Sequence, residues 1–207
     1  MKFHKSGRFC AESARKEISG RHYHDDVEKV LITPESIQAK VAWLGREITA
    51  DYAGRIPTLV GVLKGGAVFL SDLLKNIRID CRVDFICLSS YSGAKSTGVV
   101  RTLLDLRENI EGRDVIIVED IVDSGLTLGY LLENMATRRP KSLEICVLLD
   151  KPDCRKISVP IKYVGFTVPN QFLVGYGLDY NEIYRNLPYV GVLKKSVQLT
   201  GAGKAGR

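Results

Sequence analysis

Thirteen residues concentrate the chemistry of the chain: Val115-Ile116-Ile117-Val118-Glu119-Asp120-Ile121-Val122-Asp123-Ser124-Gly125-Leu126-Thr127. The first four are apolar and β-branched, the composition and length of a buried strand. Glu119 and Asp120 then stand together at its carboxyl end, where open α/β sheets bind their ligands. Asp123 to Thr127 leads into a helical pattern. Its backbone N–H groups and two hydroxyls are suited to ring a phosphate at a helix N-terminus. Gly125 lets the backbone bend close to such an anion. Three acids beside a phosphate site make sense once a sugar with hydroxyls and a divalent cation are supplied. A lone Asp-Ser-Gly would read as a helix cap; the whole string points to phosphate and sugar. Neither G-x-x-x-x-G-K-[ST] nor G-x-G-x-x-G occurs, so the P-loop and dinucleotide signatures are missing.

These residues need a scaffold, and the hydrophobic pattern predicts one. Thr33-Pro34-Glu35-Ser36 resembles a helix start, and Ile37, Val41, Leu44 and Ile48 continue it at helical spacing. A buried strand is expected over residues 58–63, broken by Lys64-Gly65-Gly66, with a helix over 67–76. Further strands are expected over 83–91, 114–120, 143–149 and 161–167, and a helix over 127–138. Residues 92–100 are polar and glycine-containing, the composition of a mobile loop. Apolar strands alternating with helices predict an α/β fold, a parallel twisted sheet flanked by helices. Residues 168–189, rich in aromatics and glycine, break that rhythm and predict a small cap subdomain over the sheet edge. Residues 1–26 read as a polar N-terminal extension, 27–193 as one domain that includes the cap, and 194–207 as a basic tail.

The thirteen-residue string resembles the phosphoribosyl-pyrophosphate-binding motif of type I phosphoribosyltransferases, and the similarity runs from about Leu59 to Val192 in the manner of the hypoxanthine-guanine branch. The resemblance implies that fold, magnesium as cofactor, and phosphoribosyl pyrophosphate, hypoxanthine and guanine as substrates. It implies that Glu119 and Asp120 handle the ribose hydroxyls, directly or through magnesium. Asp123 would be the general base near N7 of the purine, and Ser124, Gly125, Leu126 and Thr127 would hold the 5-phosphate. Lys64 and Gly65 fall in the family's pyrophosphate loop, which is entered through a cis non-proline bond; Arg185 would also reach the leaving pyrophosphate. Lys151 would donate to the exocyclic O6 of the base, a task for a side chain that donates and cannot accept. Phe172 would stack on the base, Leu173 would present backbone groups to its edge, and Asp179 would hold a second magnesium through water. Leu173 stands where the family commonly has Val, a departure that matters little if only backbone atoms act there. Ser90 and Tyr91 open a loop that would close over the site and exclude water. Each segment alone has a plainer reading: a loose Gly-Gly turn, a solvated lysine, a core phenylalanine. The family also assembles as homodimers or homotetramers, which is the expectation for this chain.

Composition narrows the alternatives. At 207 residues, with 45% hydrophobic and 26% charged side chains, the chain reads as one globular domain. No apolar run approaches the ~20 residues of a membrane span, and the N-terminus lacks the apolar stretch of a secretory signal. The five cysteines form no C-x-x-C pair, so reduced thiols and a cytoplasmic location are expected. The net charge of +6 sits in residues 1–17 (+3) and 194–207 (+4), leaving the body between them at −1. A nucleic-acid binder usually carries its basic stripe on the folded body. A regulator that keeps this fold but binds nucleotide and RNA or DNA is therefore the second reading, and an enzyme for adenine or a pyrimidine the third. Lys151, Phe172, Asp179 and Arg185 argue against the regulator, and Lys151 with the Phe172 segment argues against the other bases.

Overall fold

The computed structural model describes residues 23–90 and 100–201. Tyr91, most of the expected mobile loop, most of the N-terminal extension and the end of the basic tail lie outside them. A six-stranded sheet is built from β2 (Thr58–Leu63), β3 (Arg82–Ser90), β4 (Val100–Leu104), β5 (Asp114–Val122), β6 (Ser142–Asp150) and β7 (Tyr163–Thr167). Its strand order is β4-β3-β2-β5-β6-β7, parallel except for the antiparallel edge strand β4. Helices α1 (Pro34–Asp51), α2 (Gly66–Leu74) and α3 (Leu126–Ala136) cover it. The expectation of an α/β fold is met.

The alternation of side chains along the strands explains why both faces are covered. Leu59, Ile116, Val118, Cys146 and Leu148 turn to one face and join Ile37, Val41, Leu44 and Ile48 of α1 and Phe69, Leu70 and Leu73 of α2. Val60, Val62, Ile117, Ile145 and Val147 turn to the other and join Leu128, Leu131 and Met135 of α3. Each such branched side chain contributes ~1.5–3 kcal/mol when fully buried. Cys146 is buried among them; burial pushes its thiol pKa up, so it packs as a small hydrophobe. Helix α1 starts as expected: Thr33 Oγ1 accepts the N–H of Ser36 at 3.3 Å, and Pro34 takes the first turn.

Helix α1 is the first element that the sequence pattern predicts, but it is not the first regular element of the domain. Strand β1 (Val27–Ile32) precedes it and pairs antiparallel with β9 (Val190–Leu193), which pairs in turn with β8 (Leu173–Val174). This three-stranded sheet carries the aromatic segment expected to be a cap. Asp26 is buried at its base, where Tyr184 Oη donates to Asp26 Oδ2 at 2.7 Å. Tyr176 Oη donates to Asp72 Oδ2 at 2.7 Å, tying the segment to α2. Helix α4 (Lys195–Gly201) occupies part of the stretch read as a basic tail. Between β2 and β5 the chain reverses the direction in which it adds strands, and this switch point opens a crevice at the strands' carboxyl ends.

Candidate active site

The crevice is floored by the end of β5. Glu119 is partly buried and Asp120 buried. Glu119 Oε1 accepts the Asp120 N–H at 3.2 Å, and Asp120 Oδ1 accepts the Ile121 N–H at 2.8 Å. Burial and the neighbouring Asp120 charge hold the Glu119 carboxyl well above its ordinary pKa; burial also raises that of Asp120. Two adjacent carboxylates at this cost suit a partner that supplies positive charge or hydroxyl donors.

The turn after β2 closes against them. The Leu63–Lys64 peptide is cis, the form implied by the resemblance. Gly65 packs so tightly on Asp120 that an added Cβ would lie 1.6 Å from Asp120 Oδ2. A side chain at this position would force the Asp120 carboxylate to move.

The loop after β5 carries the residues expected to ring a phosphate. Gly125 caps α3 with a left-handed φ of 83°, and the Gly129 N–H closes the first helical turn onto its carbonyl at 2.8 Å. A cavity of about 210 Å³ is lined by Glu119, Ile121, Val122, Asp123, Ser124, Gly125, Thr127 and Leu128. Leu126 is not on its wall: its side chain is exposed, and its N–H points to Ser124 Oγ at 3.4 Å.

A second cavity, of about 530 Å³, is lined by Asp120, Ile121, Asp123, Lys151, Asn170, Gln171, Phe172, Leu173, Leu178 and Asp179. Asp123 and Ile121 line both cavities. Lys151 follows β6 and is only 7% exposed, so it is no solvated lysine. Its Nζ lies 3.0 Å from Asp123 Oδ1. Phe172 is 41% exposed, as a stacking surface must be, and Tyr180 holds it edge-on at 5.3 Å between ring centroids. Leu173 is buried and fixed in β8, pairing with Val192.

On the cap side, Arg185 Nη2 pairs with Asp179 Oδ1 at 2.8 Å, and Nη1 donates to the Gly177 carbonyl at 2.8 Å. Glu182 was not singled out in the sequence, yet it joins two groups that were. Its Oε2 meets Lys64 Nζ at 2.7 Å and its Oε1 meets Arg185 Nη2 at 3.4 Å. Asn170 and Gln171 in the larger cavity, and Arg155 behind the loop, were also missed. Nothing in their spacing marks them; only the return of distant chain to the crevice does. Ser90 ends β3, paired with Val100, and Tyr91 lies outside the described residues.

A doubly covered sheet with two acids at a strand end, a glycine-capped loop after it and two adjoining cavities is the architecture of a phosphoribosyltransferase. Residues 26–181 match the family model of the phosphoribosyl transferase domain. The hypoxanthine-guanine phosphoribosyltransferase of Bacillus subtilis is 52% identical over 173 residues, covering 83% of this chain and 96% of that one. The bifunctional protein TilS/HprT of Listeria innocua is 52% identical over 175 residues, or 84% of this chain; the chain spans only 27% of that protein's length. A crystal structure of a hypoxanthine phosphoribosyltransferase from Staphylococcus aureus superposes with a TM-score of 0.81 at 49% identity, over 84% of this chain and 95% of that one. The chain belongs to the hypoxanthine-guanine phosphoribosyltransferase family.

Proposed function

We propose that this chain performs purine salvage, transferring the 5-phosphoribosyl group from phosphoribosyl pyrophosphate to hypoxanthine and guanine with release of pyrophosphate. The observation that carries the reading is the position of Asp123 on the wall shared by the two cavities, paired with Lys151. The smaller cavity takes the 5-phosphate, on Ser124, Gly125 and Thr127. The larger takes the base, stacked on Phe172, with its edge on Leu173 backbone groups and its O6 on Lys151.

The bond from ribose C1 to pyrophosphate breaks and a bond from purine N9 to C1 forms. Asp123 accepts the N7 proton, which raises the nucleophilicity of N9. Lys64 and Arg185 take up the charge of the departing pyrophosphate, and Glu119 and Asp120 orient the ribose hydroxyls. Such a site fits magnesium, which binds through one or two carboxylates and completes its shell with water and substrate oxygens. Glu119 and Asp120 would hold one ion, and Asp179 a second once Arg185 turns to pyrophosphate. When bound, magnesium neutralises the pyrophosphate charge.

The reading extends to a cytoplasmic homodimer or homotetramer. Among the described residues no helix is long and apolar enough to cross a membrane, and Val83, Leu103 and Leu104 leave apolar surface at the β3–β4 edge. The test is product formation from phosphoribosyl pyrophosphate with a panel of purine and pyrimidine bases, with and without magnesium. Turnover restricted to 6-oxopurines and dependent on magnesium is expected. Nucleotide binding without turnover of any base would instead favour the regulator.

A further inference from the structure

We propose that Arg155 is a positioning residue that aims the 5-phosphate loop, an inference that rests on assigning the smaller cavity to the 5-phosphate. A loop surrounds an anion with N–H groups only if its carbonyl oxygens, which repel the anion, are turned away and satisfied elsewhere. Because each peptide is planar and trans, fixing a carbonyl on one side sends the next N–H to the other. Three successive carbonyls of the loop are fixed in this way, all by the segment that follows β6. The Lys151 N–H donates to Val122 O at 3.0 Å, Arg155 Nη1 to Asp123 O at 3.0 Å, and the Lys156 and Ile157 N–H groups to Ser124 O at 2.9 and 3.3 Å. The N–H groups of Asp123, Ser124 and Gly125 are thereby directed the opposite way, and all three residues line the cavity.

Arg155 supplies the one side-chain donor in this set. Its Nη2 is held by Asp150, the last residue of β6, which pairs across the sheet with Val122; both side chains are 17% exposed. The planar guanidinium therefore spans a fixed carboxylate and the carbonyl of the general-base residue. It packs against the loop as well, since Arg155 Cδ would lie 3.1 Å from a Cβ on Gly125. The Asp123–Ser124 peptide, which leads into the phosphate cavity, takes its orientation from this contact.

The test uses Arg155→Gln and Arg155→Lys in the full chain, with ribose 5-phosphate and magnesium pyrophosphate as separate calorimetric probes. Lysine keeps an ion pair with Asp150 and guards against loss of the fold, but a single nitrogen cannot span both acceptors. Both variants should raise the KM for phosphoribosyl pyrophosphate and the Kd for ribose 5-phosphate about tenfold, the order of one charged hydrogen bond. Pyrophosphate affinity should stay unchanged and kcat should move by less than about threefold, since transition-state contacts are kept. Unchanged ribose 5-phosphate affinity in folded Arg155→Lys overturns the proposal, as does equal weakening for both probes. A wild-type chain that binds no ribose 5-phosphate would instead overturn the functional reading beneath it.

Discussion

Lys151 Nζ and Asp123 Oδ1 stand 3.0 Å apart, although 28 positions separate them in the chain, and the contact joins the wall of the larger cavity to the loop after β5. The purine's O6 and N7 lie on one edge of the ring, so one cation and one carboxylate held side by side match that edge. The pair also ties the two residues' mutational effects together, because truncating either leaves the other without its partner.

Lys151→Gln is expected to raise the KM for hypoxanthine roughly ten- to a hundredfold, the range of a hydrogen bond from a charged donor. Phosphoribosyl pyrophosphate affinity should change by a few-fold at most. Steady-state kinetics with each substrate varied separately checks this, and equal losses for both would place Lys151 outside the base site.

Gly65→Ala asks for space that Asp120 already occupies, since the new Cβ would fall 1.6 Å from Asp120 Oδ2. The carboxylate must move, and kcat/KM for phosphoribosyl pyrophosphate should fall by about a hundredfold or more, as misplacement in an active site does. The thermal midpoint measured alongside should stay within a few degrees, because Gly65 lies at the helix start rather than in the core. Near-normal kcat/KM would mean that the turn is not seated on Asp120.

Glu182 holds both Lys64 and Arg185, the two cations assigned to pyrophosphate, so the incoming anion competes with an internal carboxylate. Glu182→Gln should therefore tighten product inhibition by pyrophosphate several-fold at low ionic strength, with the gain shrinking as salt screens these exposed charges. Weaker inhibition in the variant would show that Glu182 orients the two cations instead of masking them.

At the opposite end of the sheet, a polar cluster sets an acid limit on stability. Hydrogen bonds from Tyr163 (2.7 Å) and Lys162 (2.9 Å) hold the Asp51 carboxyl below its ordinary pKa of 3.8. A carboxyl with a depressed folded pKa stabilises fully above its unfolded value and loses that contribution as pH falls through the folded one. The thermal midpoint of Asp51→Asn should therefore trail the wild type at pH 7 and pH 5, with the gap narrowing below pH 3.8. A gap constant across that range would assign the effect to lost packing.

The parts of the fold legible in the sequence are those whose signals are local. Helix α1 announces itself through Thr33-Pro34 and the spacing of Ile37, Val41, Leu44 and Ile48; β5 and β6 do so through the apolar runs Val115–Val118 and Ile145–Leu149. Strand β1 escaped because it is an edge strand whose middle, Glu28-Lys29-Val30, is exposed. Its partner β9 lies more than 150 residues away, beyond any local pattern. The same divide runs through the site. Glu119 to Thr127 form one contiguous stretch and could be read directly, whereas Glu182 and Arg155 matter only through what folding brings to them. The burial of Lys151 is a further case, since a lysine after a strand looks solvated until folding sets it in the wall of the larger cavity beside Asp123.

The most direct test of the account is Asp123→Asn compared with the wild type, measuring initial rates of nucleotide formation from hypoxanthine together with the Kd for phosphoribosyl pyrophosphate. Asparagine keeps the size and the loop but cannot take the N7 proton. Ready turnover is expected of the wild type and a loss of about 10²-fold or more in the variant, the scale of a missing general base, with the Kd nearly unchanged. Wild-type turnover in Asp123→Asn would contradict it.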